Sequence, residues 1–285
     1  MLAMYFWVPI SIFFMWLKYK KMSNKLALLI GINYKDSDAE LNGCINDVHR
    51  MKEFLIQHCG YVESNITILT DDSETTPTTM NILRQLGKLI IAAYYNKTKE
   101  LFIHYSGHGT YLFDSSGDES DGKDEALVPL DYQTAGLITD DLLHDYLAYL
   151  PEDCKCICLI DCCHSGTMLD LKYKYIKEDD NEVENLNSTV TSNIFMISGC
   201  RDSQTSADAF MNGNWAGAMT TAFLDTMQKY NYNVTCFHLL NSMRKFLEQK
   251  GYEQVPQICC SNKLCNTSLF TCTDPLPKPF MILNN

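Results

Sequence analysis

Short apolar runs alternate along this chain with stretches whose apolar residues return every three or four positions. The runs are residues 27–32, 66–69, 101–105, 156–160 and 193–198, each four to six residues long. Runs of that length, apolar on both faces and closed by polar or glycine residues, predict buried strands of a parallel sheet. Helical spacing covers 46–58, 78–95, 139–150, 216–230 and 236–250. Val48, Met51, Phe54 and Leu55 mark the buried face of the first of these. Thr76-Pro77-Thr78 places proline near a first turn, and Thr139-Asp140-Asp141 supplies a helix cap. Weaker strands are predicted over 126–129 and 256–259, a hairpin or loop over the acidic residues 114–125, a surface loop over 171–192, and an irregular tail from Thr271. Strands alternating with helices predict an α/β fold: a mostly parallel central sheet flanked by helices on both faces.

Residues 1–17 carry no charge and are almost all apolar; Lys18, Lys20 and Lys21 follow. Residues 1–21 therefore stand apart from a single domain over 22–285. They do not form a good cleavable signal, because no basic residue precedes the run and no small-x-small site follows it. Two readings stand. The segment is a membrane anchor, somewhat short and interrupted by Pro9, with the domain on the cytoplasmic side of its lysines. Alternatively it precedes the true start at Met22.

A 46% hydrophobic fraction over 285 residues is ample for a sizeable core. The formal net charge of −12 argues against nucleic acid and against an anionic membrane surface as main partners. The 13 cysteines are odd in number and lack framework spacing, so they read as free thiols in a reducing, cytoplasmic setting.

Two stretches carry the chemistry. His104-Tyr105-Ser106-Gly107-His108-Gly109 closes one buried run and Asp161-Cys162-Cys163-His164-Ser165-Gly166 closes another. Reactive groups in an open α/β sheet sit just past the carboxyl ends of strands. On neighbouring strands, His108 and Cys163 can meet as base and nucleophile. His104 lies inside its strand and reads as a satisfied core histidine. Cys162 points opposite to Cys163 on an extended backbone, and so does His164, which makes it an unlikely base. The backbone N–H groups of Gly109 and Cys163 are candidate oxyanion donors. A phosphatase loop needs Arg six residues after the nucleophile, and position 169 is Leu.

These motifs resemble the catalytic His and Cys motifs of the metacaspases, relatives of the caspases. The resemblance runs from about Ala27 through the second late helix. It includes Asn42-Gly43-Cys44-Ile45-Asn46-Asp47, Ile197-Ser198-Gly199-Cys200, Asp202-Ser203-Gln204-Thr205-Ser206-Ala207-Asp208 and Gly217-Ala218-Met219-Thr220. It implies a caspase–hemoglobinase fold of the type I-like arrangement, p20-like over 22–170 and p10-like over 193–285. The Pro-rich prodomain of that type has no counterpart here. The resemblance further implies a calcium-dependent cysteine endopeptidase that cleaves proteins or peptides after Arg or Lys, works as a monomer and needs no organic cofactor. By resemblance Cys44, Asp47, Ser106 and Asp161 line the S1 pocket, and Asp124, Asp140, Asp141 and Asp170 hold Ca²⁺. Hard oxygen ligands suit that ion. The bland readings are helix N-terminal charge for Asp47, a strand-end cap for Asp161, a helix cap for Asp140 and solvated charge for the other calcium-site acids. Self-cleavage is expected at Lys172, Lys174 or Lys177, in the polar loop. The rival functions are a catalytically silent caspase-like scaffold or regulator, and a membrane-tethered adaptor.

Overall fold

The computed structural model describes residues 24–113, 123–163, 165–166, 168–176, 182–183, 188–199, 208–211, 214–265 and 267–270. The readings for residues 1–21, for His164, for the motif residues 200–207, for Lys177 and for the tail from Thr271 lie outside the described residues.

The five apolar runs become adjacent parallel strands, in the spatial order β2 (Ile66–Thr70), β1 (Lys25–Gly31), β3 (Glu100–Ser106), β7 (Lys155–Asp161) and β10 (Asn193–Ser198). After β2 the chain crosses back over β1, so the order reverses between β1 and β3. A crevice opens at the carboxyl ends of strands at such a switch point. Each strand is buried on both faces, and the side chains divide by the period of two. Leu28, Ile30, Leu101, Ile103, Cys156 and Cys158 face α2 (Thr79–Asn96) and α4 (Asp140–Leu147). Ala27, Leu29, Phe102, Ile157 and Leu159 face α1 (Cys44–His58), α5 (Ala218–Lys229) and α6 (Cys236–Gln249). Thr78 and Thr139 cap α2 and α4 by accepting the N–H groups of Asn81 and Leu142.

Beyond β10 the sheet continues through β13 (Gln257–Cys260), β8 (Tyr173–Tyr175) and β9 (Glu182–Val183), each antiparallel to its neighbour. At 173–175 and 182–183 this corrects the reading of 171–192 as a surface loop. The lysines there interleave with aromatic residues that have a place to pack. Tyr175 meets the Phe237 ring edge-on at 5.8 Å, and its hydroxyl accepts the Leu264 N–H at 3.1 Å.

A second, three-stranded antiparallel sheet stands apart: β4 (Gly109–Phe113), β5 (Lys123–Leu127) and β6 (Ile138–Thr139), with the short α3 (Tyr132–Ala135) beside it. Residues 114–122 of the segment read as a hairpin or loop lie outside the described residues; the strands on either side of them pair antiparallel. The second strand starts at Lys123 rather than 126, because pairing with β4 extends to Phe113↔Lys123. The pattern also missed β11 (Asp208–Met211) and β12 (Asn214–Gly217), an antiparallel pair that delays α5 to Ala218. Among the described residues no helix is long and apolar enough to cross a membrane.

Candidate active site

Strands β3 and β7 pair in register through Ser106↔Asp161, so His108 and Cys163 each lie two residues past that pair. Gly109 allows the two turns to touch. A Cβ there would lie 2.1 Å from the Cys163 carbonyl oxygen and 2.7 Å from the Cys162 sulfur. Cys162 is buried on the α2/α4 face, whereas Cys163 is partly exposed. Pleat alternation therefore separates the two thiols as expected.

The imidazole of His108 is held from two sides. Its Nε2 lies 2.8 Å from the carbonyl oxygen of Ala39, in the loop after β1. A carbonyl only accepts, so Nε2 carries the proton and Nδ1 of the neutral ring carries the lone pair. The ring packs against Tyr34, centroids 4.7 Å apart and tilted 39°. Tyr34 adopts a left-handed backbone, φ 51°, which turns its side chain under the histidine. Its hydroxyl accepts the His108 N–H at 3.0 Å and donates to the Val128 carbonyl at 2.6 Å. Tyr105 donates to the His108 carbonyl at 2.7 Å. Burial pushes both tyrosines upward, so they stay neutral donors. The same His108 carbonyl accepts the Val128 N–H, so Gly109–Leu127 is a non-hydrogen-bonded pair of the β4–β5 ladder. The Gly109 N–H accordingly points away from β5.

The acidic residues converge beside this pair. Glycine at position 31 lets α1 start against the end of β1; a Cβ there would lie 2.5 Å from the Cys44 carbonyl oxygen. That places Cys44, itself buried, and Asp47 in the first turn of α1. Asp47 Oδ2 accepts from the Ser106 hydroxyl at 2.9 Å and from the Gly217 N–H at 2.8 Å. Its Oδ1 has no hydrogen-bond partner, with Arg50 at 3.7 Å. Asp161 Oδ2 accepts from both the N–H and the hydroxyl of Thr220, each at 2.8 Å. A Cβ on Gly217 would lie 2.2 Å from Asp161 Oδ2 and 2.6 Å from Asp47 Oδ2. The two carboxylates thus face one glycine. Burial, and next the Asp161 charge, push the Asp47 carboxyl well above the usual carboxylate range, against the pull of Gly217, Ser106 and Arg50.

His104 differs in part from expectation. It is fully buried and its imidazole falls to about 3 through that burial. Nε2 lies 3.2 Å from the Thr220 hydroxyl, but Nδ1 has no partner. Thr220 spends its own proton on Asp161, so His104 donates to Thr220 and stands behind the carboxylate. Four residues that matter here were assigned no role from the sequence: Tyr34, Ala39, Gly217 and Thr220.

The calcium candidates come from three segments. Asp124 lies on β5, Asp140 and Asp141 open α4, and Asp170 follows β7 with φ 46°. Asp124, Asp140 and Asp170 are buried and Asp141 is exposed. Asp140 accepts the N–H groups of Glu125 at 2.7 Å and Asp141 at 2.9 Å. Burial and then the Asp170 charge raise its carboxyl to about 8. Among the described residues no three His, Cys, Asp or Glu side chains are gathered closely enough to hold an ion as they stand. The donor chemistry nevertheless fits a hard cation, since all four side chains are carboxylates and three are buried, among them Asp140 and Asp170, whose like charges a cation would reconcile.

A parallel sheet that brings a cysteine, a histidine and two buried carboxylates to neighbouring strand ends defines a caspase-like α/β protein. Solved structures agree on the fold. Caspase-1 from Spodoptera frugiperda superposes with a TM-score of 0.51 at 10% identity, covering 86% of this chain and 91% of that one. Protein GSU0716 from Geobacter sulfurreducens gives 0.60 at 22% identity, covering 86% and 96%. The chain belongs to the metacaspase family: the family profile "Metacaspase, peptidase C14 domain" matches residues 25–172. Metacaspase-1 of Eremothecium gossypii is 40% identical over 296 residues, which cover 85% of this chain and 65% of that protein. Metacaspase-1 of Scheffersomyces stipitis is 38% identical over 289 residues, covering 84% and 71%. The chain thus spans about two thirds of the length of these curated relatives.

Proposed function

We propose that this protein is a calcium-activated cysteine endopeptidase that cleaves after Arg or Lys, with Cys163 as nucleophile and His108 as base. The observation that carries the reading is the meeting of two buried carboxylates at Gly217, beside a histidine whose Nε2 is already committed to a carbonyl. The free lone pair on His108 Nδ1 takes the Cys163 thiol proton. The sulfur adds to the substrate carbonyl carbon, and the N–H groups of Gly109 and Cys163 stabilise the oxyanion. When the tetrahedral adduct collapses, the C–N bond breaks and the imidazolium gives its proton to the leaving amine. Water, deprotonated by the same histidine, then splits the thioester.

The residue before the cut enters between Asp47 and Asp161. A cationic side chain there gains charge-assisted hydrogen bonds of roughly 1.5–3 kcal/mol each. An Asp side chain meets like charge in a desolvated recess. Arg exceeds Lys where its planar fork spans a carboxylate. Asp124, Asp140, Asp141 and Asp170 are the residues that would hold Ca²⁺. Bound there, it would supply positive charge to the buried Asp140–Asp170 pair.

The test is kcat/KM on matched peptides differing only at the residue before the cut, with Cys163→Ala as control. Cleavage after Arg and Lys, none after Asp, and loss of activity in Cys163→Ala are expected. Equal cleavage of the Asp peptide would end the acidic-pocket reading.

A further inference from the structure

The small β4–β5–β6 sheet and α3 stand outside the eight-stranded sheet, yet the chain folds them against His108. Together with the loop after β1 they enclose a cavity of about 500 Å³. Its walls include Ala39, Val128, Tyr132 and Leu137, with His108 and Thr110 at one side. None of Cys44, Asp47, Ser106 or Asp161 lines it, so it is distinct from the place where the two carboxylates meet Gly217. We propose that the cavity is the subsite for the residue on the leaving side of the scissile bond, and that it takes a large apolar side chain.

This inference rests on the reading of Cys163 and His108 as the reacting pair. The leaving amine must come within hydrogen-bond reach of the imidazole to receive its proton. The residue that owns this amine therefore begins at His108. The preceding residue is directed into the acidic recess, and an extended peptide carries its next side chain away from that recess. His108 is one of the residues that line the cavity, whose volume lies within the range of side-chain and small-ligand sites.

Its chemistry selects the occupant. Among the described residues no Asp, Glu, Lys or Arg lines it. The Tyr34 hydroxyl at its edge is already bonded to the His108 N–H and the Val128 carbonyl. A charged side chain entering there would lose water without gaining an opposite charge. An apolar one would gain the burial of its own surface and of Leu137 and Tyr132, both only partly buried.

The experiment uses the full chain with internally quenched peptides that keep Arg before the cut and carry Leu, Phe, Ser or Asp after it. Leu and Phe are expected to exceed Asp by roughly tenfold or more in kcat/KM, the scale on which apolar pockets discriminate. Leu137→Glu should remove that preference, and Tyr132→Ala should weaken it for Phe most. A peptide aldehyde ending in Arg has no residue beyond its carbonyl. Its inhibition constant is expected to move less than twofold in either variant, which separates a lost subsite from a damaged fold. Equal rates whatever follows the Arg would overturn the subsite while leaving the peptidase reading intact. No cleavage of any peptide would overturn the peptidase reading, and this inference with it.

Discussion

Tyr34 concentrates several contacts that one atom controls. Its hydroxyl is the acceptor for the His108 N–H, and the residue holds a left-handed backbone conformation that costs free energy unless the surroundings compensate. Tyr34→Phe leaves a partly buried N–H unpaired, a cost of up to roughly 1–3 kcal/mol. We expect kcat to fall by about 5- to 100-fold with KM little changed, read from full rate curves. Gly217 acts through space rather than torsion. In Gly217→Ala the new methyl group displaces Asp161 and Asp47, and kcat/KM after Arg should fall roughly 10- to 150-fold with near-native circular dichroism. Asp47 sets activity against stability. Its folded pKa is raised, so its favourable contribution is present at low pH and is lost as pH rises through the folded value. Asp47→Asn is therefore expected to raise Tm at pH 7–8 and yet to abolish cleavage after Arg, which calorimetry and peptide assays together would test.

At the scale of elements, β8 changes what the lysines after Asp170 can do. Lys174 pairs in register with Cys259 on one side and with Glu182 on the other, so a peptidase reaches it only after the strand opens. Lys172 precedes the strand. The first self-cleavage within the described part of this segment is expected after Lys172, and mass spectrometry of products from a time course would show it. Early cutting at Lys174 would mean that β8 detaches readily. α1 is placed by close approach: Gly31 removes the one side chain that would hold the helix off the strand, and Asn46 ties it to β12 through the Trp215 carbonyl at 2.9 Å. The position of Asp47 is in that sense a property of three elements.

For the whole molecule, the calcium candidates join β5, the start of α4 and the chain after β7. An ion that binds only the folded form stabilises it by mass action. Ca²⁺ is expected to raise Tm and to activate the wild-type chain, and Asp170→Asn should lose both effects. Full activity in EGTA, with Tm indifferent to Ca²⁺, would exclude the role.

The apolar runs determined their strands because burial on both faces leaves little room for another element, and the helical periods determined the covering layers for the same reason. The two motifs that carry the candidate cysteine and histidine were legible because each lies at the end of its own strand, and neighbouring strands bring such ends together. Tertiary structure alone decided which groups complete the site. Ala39 is 69 residues from His108, Thr220 is 59 from Asp161 and Gly217 is 170 from Asp47. Two of those contacts use main-chain atoms: the Ala39 carbonyl, which every residue type offers, and the Gly217 N–H, which every residue type but proline offers. The third uses a threonine that reads as an ordinary helix residue. The strand at 173–175 was hidden likewise, since three residues show no period until Cys259 and Glu182 stand beside them.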